Sequence, residues 1–210
     1  MTDDTFSPLP QGLWTVRSVQ DTLQLYADWA DTYESDVATY GYATPGRIAA
    51  LLASHLADPT TPILDFGCGT GLSGLAMADA GLKVIDGSDI SDEMRAKAEA
   101  KGVYRRVFPG TPGKMPEAAV GTYGAIAAVG VVSLGAAPAE TLAPLLDLLA
   151  PGGFLAFSYN DATLREASYM EALTAVQLDG TAVLIAAQYG PHLPNQQGAQ
   201  GSTVYLLRRL

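Results

Sequence analysis

The sequence has little cysteine and few cations, and each scarcity excludes a class of protein. One cysteine, Cys68, cannot form an intramolecular disulfide, and no Cys/His group with zinc-site spacing surrounds it, so we predict no metal. The 12 Lys and Arg against 22 Asp and Glu give a net charge of −10 and a pI near 4.4. Because affinity for phosphate backbones comes mainly from clustered cations, this composition argues against a nucleic-acid partner.

Signals for secretion and for a membrane span are missing as well. The first ten residues, MTDDTFSPLP, contain neither the basic nor the apolar region of a signal peptide. The longest uncharged run, residues 118–139, is interrupted by glycines and a proline. We therefore predict a cytoplasmic protein with no membrane segment, whose residues 1–18 are flexible and whose residues 19–210 form a single domain. The sequence carries no signal for an oligomeric state.

The spacing of apolar residues predicts an α/β fold. Apolar positions three and four residues apart predict helices over residues 19–40 and 44–56. Short apolar runs then alternate with helical stretches, a pattern typical of a parallel sheet with crossover helices. The predicted strands are residues 63–66, 83–89, 103–108, 125–131 and 153–159, and the predicted helices are residues 72–80, 92–101, 139–149 and 164–178. Two further β-like runs, 181–189 and 202–208, have no helix between them and predict an antiparallel hairpin.

A glycine loop after the first predicted strand indicates a cofactor site. Gly67, Gly69 and Gly71 allow backbone torsions and close ligand approach that a Cβ would block, and the next helix points its free N–H groups at the same place. The stretch from Gly69 onward also satisfies G-x-G-x-x-G, with Asp89 about 20 residues later, as in dinucleotide-binding proteins. Asp65 argues against a pyrophosphate and for a ligand that carries an ammonium group. The terminal hairpin is the second feature against a dinucleotide.

Three segments carry a family resemblance. The motif DFGCGTG, residues 65–71, resembles motif I of the class I S-adenosylmethionine-dependent methyltransferases, and GSDISDEM, residues 87–94, resembles their second motif. The opening YADWADTYESDV, residues 26–37, followed by Gly41 and Tyr42, is similar to that of the Williams-Beuren-region methyltransferase-like family. The likeness spans most of residues 24–160. It implies S-adenosyl-L-methionine as cofactor and a Rossmann-like, doubly wound, mostly parallel seven-stranded sheet with N-terminal helices covering the site.

The resemblance also implies a set of cofactor contacts. They follow the first four strands and include one helical tyrosine: Tyr33, Asp65, Gly67, Gly69, Gly71, Asp89, Ile90, Met94, Thr111, Val129 and Gly130. In the family, the residue that matches Asp89 binds the ribose hydroxyls and the one that matches Tyr33 covers the methionine carboxylate. Thr111 stands where relatives commonly have an acidic residue for the adenine amino group, so we expect weaker binding of adenine.

The implied reaction is methyl transfer to a small-molecule acceptor, on an oxygen, nitrogen or carbon atom. Such a reaction needs alignment more than a fixed catalytic triad, but a base would help with some acceptors. The candidates near strand ends are His192, Tyr189, Tyr159 and Asp161, whereas Cys68 has no evident histidine partner and receives no catalytic role. Two alternatives stay open: a cofactor-binding protein without transfer activity, and a nicotinamide-dependent reductase.

Overall fold

A computed structural model describes residues 9–10, 12–116, 121–197 and 200–210. The part of the prediction for a flexible N-terminus that concerns residues 1–8 and 11 lies outside these ranges. The helices are α1 (Val19–Trp29), α2 (Tyr33–Thr39), α3 (Thr44–His55), α4 (Leu72–Asp79), α5 (Asp92–Ala100), α6 (Leu142–Asp147), α7 (Asp161–Leu164) and α8 (Ala167–Leu178). The strands are β1 (Ile63–Phe66), β2 (Ile85–Asp89), β3 (Arg106–Pro109), β4 (Tyr123–Ala128), β5 (Leu149–Asn160), β6 (Ala182–Leu193) and β7 (Gln200–Arg209).

The strands form one sheet in the order β3-β2-β1-β4-β5-β7-β6. The pairs from β3 to β5 are parallel, and β7 pairs antiparallel with both β5 and β6. Apolar clusters cover both faces, one around Leu64, Phe157 and Leu207 and the other around Ile48, Ile63 and Leu206. Burial on two faces explains why the central strands read as nearly continuous apolar runs. The predicted fold class is confirmed, including the hairpin and the N-terminal helices.

The first predicted helix, residues 19–40, is in fact two helices. The chain leaves α1 after Trp29 through tight turns and re-enters a helix at Tyr33. The Trp29 indole Nε1 donates a hydrogen bond of 2.8 Å to Asp36 Oδ2 in α2, and its ring meets Tyr33 edge-on at 4.8 Å. The apolar periodicity continues across the break because both helices turn the same aromatic face inward.

Other boundaries differ by a few residues. β4 ends at Ala128, so Val129 and Gly130, predicted in the strand, lie in the loop after it, where Gly130 has a φ of 71°. The helix predicted over residues 139–149 begins as a 3₁₀ turn, Ala139–Thr141, and ends at Asp147. The helix predicted over residues 164–178 is interrupted between α7 and α8. No helix in the described ranges is both long and apolar enough to cross a membrane.

Candidate active site

A cavity of about 600 Å³ opens at the carboxyl ends of the parallel strands. After β1 the chain builds the sheet outward through β2 and β3, then returns to the other side of β1 as β4. Open α/β sheets bind ligands at such a reversal, because the loops that follow the two neighbouring strands diverge and leave a crevice. Residues of α1 and α2, including Tyr26, Tyr33 and Val37, line this cavity. The N-terminal helices therefore cover the site.

The glycine loop is shaped to leave room for a ligand. Gly67 has a φ of 69°, and a Cβ there would come within 2.4 Å of the Val131 side chain. Gly69 has a φ of 53°, and a Cβ there would meet no atom within 4 Å, since the residue borders the cavity. The space above Gly69 stays open for a ligand only because glycine has no side chain, and we call this space the cradle. This loop fits the extended, polar cofactor that the sequence predicts.

Gly71 has a different surrounding from the other two glycines. It caps the N-terminus of α4 with a φ of 93°, and a Cβ would approach Ala98 Cα and the Tyr104 ring to 3.1 Å. Gly71 is not among the residues that line the cavity. Its position allows α4 and α5 to approach each other.

Asp89 joins the end of β2 to the glycine loop and borders the cavity. Its Oδ2 accepts a hydrogen bond of 2.9 Å from Gly69 N, and its Oδ1 accepts one of 2.9 Å from Ser91 N. Burial raises the pKa of Asp89, while the hydrogen bonds from the backbone at Ser91 and Gly69 favour the charged form. A carboxylate held in this way can accept hydrogen bonds from the two hydroxyls of a ribose.

Asp65 lies behind the cavity wall and not on its surface. It is fully buried, and its Oδ2 accepts hydrogen bonds from Ser73 Oγ at 2.6 Å and from the Tyr104 hydroxyl at 2.7 Å. Its Oδ1 has no partner among the described residues. Burial raises the pKa of Asp65 to about 6, and Asp89 contributes in the same direction. The predicted attraction for an ammonium group is therefore electrostatic and acts through the loop.

The other predicted cofactor contacts line the cavity: Tyr33, Ile90, Met94, Thr111, Val129 and Gly130. Burial raises the pKa of Tyr33 well above its usual value, so its hydroxyl stays a neutral hydrogen-bond donor. Met94 is 2% exposed and Ile90 is 37% exposed. Thr111 lies in an exposed turn closed by a backbone bridge to Lys114. Gly130 N donates a hydrogen bond of 3.1 Å to Ser158 Oγ.

Two of the three main base candidates lie away from the cavity. Tyr159 is fully buried in an aromatic cluster with Phe157 and Tyr205, and burial raises its pKa. Tyr189 is 67% exposed, and its hydroxyl donates to the carboxylate of Asp161, the fourth candidate, at 3.1 Å. Neither tyrosine lines the cavity, nor does Asp161. The sequence placed all of them near strand ends but could not say which face each side chain takes.

His192 is the candidate that does reach the cavity. It is 7% exposed, and burial lowers its pKa to about 4. The ring is therefore neutral at pH 7. Cys68 is also buried, and burial raises the pKa of its thiol, so the residue is not a thiolate. Within the described ranges, no group of three or more His, Cys, Asp or Glu residues could hold a metal ion.

Sequence reasoning missed several residues of the site. Tyr42 lines the cavity beside His192, with ring centroids 5.3 Å apart, yet only its place after Gly41 drew notice. Tyr104 donates to Asp65 from 39 residues away and gives no signal in the sequence. Asn160 lines the cavity at the end of β5.

Comparison with known proteins identifies the family. The family model described as "Methyltransferase domain" matches residues 40–189, which include the glycine loop, Asp89 and the strands that frame the cavity. The chain belongs to the methyltransferase domain family. The cofactor of this methyltransferase is S-adenosyl-L-methionine. The family therefore decides between this cofactor and the dinucleotide that the spacing of the glycines also allowed.

A human relative agrees with this assignment. The methyltransferase is 35% identical over 158 residues to the human methyltransferase-like protein 27, an alignment that covers 73% of this chain and 63% of the relative. The chain thus spans less than two thirds of that protein's length.

Solved structures share the fold at low sequence identity. Magnesium protoporphyrin IX methyltransferase from Synechocystis, solved with bound S-adenosylmethionine, has a TM-score of 0.65 at 18% identity, covering 93% of this chain and all of the other. A structure described as the 4+2 cyclase SpnF has a TM-score of 0.60 at 18% identity, covering 78% and 80%. The fold is therefore shared by proteins whose names denote different reactions.

Proposed function

We propose that the protein transfers the methyl group of S-adenosylmethionine to a small-molecule acceptor that binds in the same cavity. The cavity carries the proposal, because its lining extends well beyond the loop and carboxylate that would hold the cofactor. Pockets for small ligands have volumes of about 300 to 1,000 Å³, so about 600 Å³ can take a cofactor and a small acceptor together.

The chemistry of the lining favours an acceptor with an apolar skeleton. The side chains beyond the cofactor contacts come from the N-terminal segment, α1 and the loops after β3 and β4: Leu13, Trp14, Leu23, Met115 and Leu134. The bound cofactor would supply a methyl group already activated on a sulfonium. The chain's own residues then have to align the acceptor and exclude water, which an apolar wall under a helical cover does.

The charge of the lining supports a small molecule over a nucleic acid. Among the described residues that line the cavity, Arg17 and Lys114 are the cations, whereas backbone phosphates are bound by clusters of them. We further propose that residues 19–210 work as one domain, since α1 and His192 of β6 border the same cavity. The single buried cysteine, Cys68, agrees with a cytoplasmic location.

Release of S-adenosylhomocysteine in the presence of a broad panel of metabolites tests the proposal. We expect acceptor-dependent release with at least one panel member, and none with a Gly69→Ala variant, whose new methyl group would occupy the cradle. The proposal is refuted if no metabolite gives product while total RNA or ribosomal protein does.

A second function, cofactor binding without methyl transfer, has one observation in its favour. None of the candidate side chains both borders the cavity and has a pKa suited to accepting a proton near pH 7, since the pKa of His192 is lowered to about 4. Tight binding of the cofactor, together with no S-adenosylhomocysteine from any class of acceptor, would favour this function.

A further inference from the structure

A row of buried polar groups links α3 to the terminal hairpin behind the cavity wall. His192 Nδ1 lies 2.8 Å from Thr44 Oγ1, which lies 3.1 Å from Ser202 Oγ. Arg47 Nη1 donates to Ser202 Oγ at 3.0 Å and also to the backbone oxygens of Pro191 and Ser202. Thr44 and Ser202 are at most 1% exposed. Buried groups of this kind must satisfy one another, because water does not reach them.

The Arg47 guanidinium at one end of this row indicates in which direction its hydrogen bonds run. An arginine has only donors, so Ser202 Oγ must accept from Arg47. The Ser202 hydroxyl then has one proton to place, and Thr44 Oγ1 is its acceptor among the described residues. With Ser202 as the donor to Thr44, the Thr44 hydroxyl has its own proton for His192 Nδ1. If Nδ1 accepts a hydrogen bond, the proton of the neutral ring is on Nε2.

The backbone aims this ring at the cavity. The pairing of β6 with β7 steps from Pro191 opposite Gly201 to Leu193 opposite Gln200, which leaves His192 as the extra residue of a β-bulge. Bulges re-aim side chains that a regular strand would direct elsewhere. The His192 carbonyl accepts a hydrogen bond of 3.0 Å from Ala43 N and holds the bulge against the start of α3. With Nδ1 engaged, Nε2–H is the polar group of the ring that is left for a ligand.

Asn160 supplies a second donor to the same cavity. Its Oδ1 accepts hydrogen bonds of 2.9 Å from both Thr163 N and Thr163 Oγ1, which identifies the oxygen of the amide and leaves the NH₂ group for the cavity that Asn160 lines. Asn160 is directly opposite Ser202 in the pairing of β5 with β7. The two strands that carry the donors, β5 and β6, flank β7 and its Ser202 on either side.

We propose that His192 Nε2–H and Asn160 Nδ2–H₂ form a donor pair that holds a carbonyl or carboxylate oxygen of the methyl acceptor. His192 is then a hydrogen-bond donor and not a general base, and Thr44, Ser202 and Arg47 are positioning residues that keep its proton on Nε2. This inference deepens the proposed methyl transfer and depends on it for the identity of the ligand. The arrangement of the protons does not depend on it.

The charges around the ring keep it neutral over the working range of pH. Burial lowers the pKa of His192 to about 4, the nearby Asp161 carboxylate opposes that shift, and Arg47 adds to it. Tyr42, which packs edge-on against the ring, has a pKa raised by burial and is uncharged. Above pH 5.5 the donor pair is therefore uncharged.

Nitrogen-15 NMR of histidine-labelled protein reads the tautomer without any acceptor. The chain has two histidines, so a His55→Gln variant assigns the two sets of signals. We expect His192 in the Nε2–H form from pH 5.5 to pH 8, and a mixture of both forms in a Thr44→Val variant, which keeps the side-chain shape but breaks the row. The Nδ1–H form in the unmodified protein would overturn the proposal.

Kinetics with an acceptor found in the metabolite panel tests the contact itself. We expect His192→Phe and Asn160→Asp each to raise KM for that acceptor at least tenfold, with S-adenosylhomocysteine affinity changed less than twofold. A matching loss of S-adenosylhomocysteine affinity would instead assign the pair to the cofactor carboxylate and overturn the proposal. A kcat/KM that increases with pH as His192 loses its proton would make His192 a general base and would also overturn it. If the protein does not transfer methyl groups at all, the NMR experiment will still show the Nε2–H form of His192, but no acceptor will give product. The two failures are therefore distinguishable.

Discussion

Substituting Asp65 by Asn separates the energetic cost of a buried carboxylate from its role at the site. The side chain is fully buried, with two hydrogen bonds to Oδ2 and no described partner for Oδ1. An asparagine has the same shape, and its amide oxygen can accept from both Ser73 and Tyr104. The substitution therefore removes the charge and the titration while it keeps the packing and the two hydrogen bonds.

The sign and size of the effect follow from the pKa of Asp65. Burial raises the pKa to about 6, from 3.8 in the absence of the fold. Between these values the folded state binds more protons than the unfolded state, so the free energy of unfolding falls as pH rises. From pH 5 to pH 8 this loss is roughly 1.4 kcal/mol, obtained by integrating the linkage relation between the two pKa values. The stability of the Asp65→Asn variant relative to the unmodified protein should rise by that amount over the same range.

Urea unfolding at several pH values between 5 and 8 measures this difference. The range stays above the pI near 4.4, where low net charge favours precipitation. Asp86→Asn is the matched control: Asp86 is also fully buried, but hydrogen bonds from Arg105, Tyr123 and Arg106 outweigh burial and lower its pKa. The pKa values of Asp86 in the folded and in the unfolded state then both lie below pH 5. The Asp86→Asn substitution should therefore lower stability by an amount that does not change between pH 5 and pH 8. A flat profile for Asp65→Asn would refute the reasoning.

Three further substitutions, one of them paired with a control, test the site. Asp89→Asn should weaken binding of S-adenosylhomocysteine by about 1 to 3 kcal/mol through loss of charged hydrogen bonds, and calorimetric titration that shows unchanged affinity would remove Asp89 from the cofactor site. Gly69→Ala should cost about 1 to 2 kcal/mol of stability for its left-handed backbone and also abolish cofactor binding. Gly102→Ala, at a φ of 66° with no neighbour within 4 Å and outside the cavity, should cost the same stability and leave binding intact; equal binding by both variants would contradict the cradle. Tyr159→Phe removes a buried hydroxyl with no described partner, so stability should stay equal or rise by about 1 kcal/mol with turnover unchanged; a large loss of turnover would restore Tyr159 as a base.

Local patterns were enough to predict most of the architecture. Apolar runs bounded by glycine and proline predict the strands, because strands buried on both faces need nearly continuous apolar sequence. The glycine loop and Asp89 are similarly readable, since a positive φ and a short turn restrict the residue type at each position. β1 begins at Ile63 and ends at Phe66 as predicted, and the terminal hairpin forms from the two last apolar runs.

Contacts between distant segments were decided by the tertiary structure alone. Thr44 and His192 are 148 residues apart, and their hydrogen bond exists because the bulge at His192 in β6 packs against the start of α3. A period-2 pattern places side chains on alternate faces, but a one-residue bulge reverses that assignment without changing composition. The sequence by itself therefore determined the family, the cofactor and the position of the glycine loop. Only the tertiary structure decided that Asp65 lies behind the cavity wall, that Tyr159 and Tyr189 lie away from the cavity, and that His192 borders it.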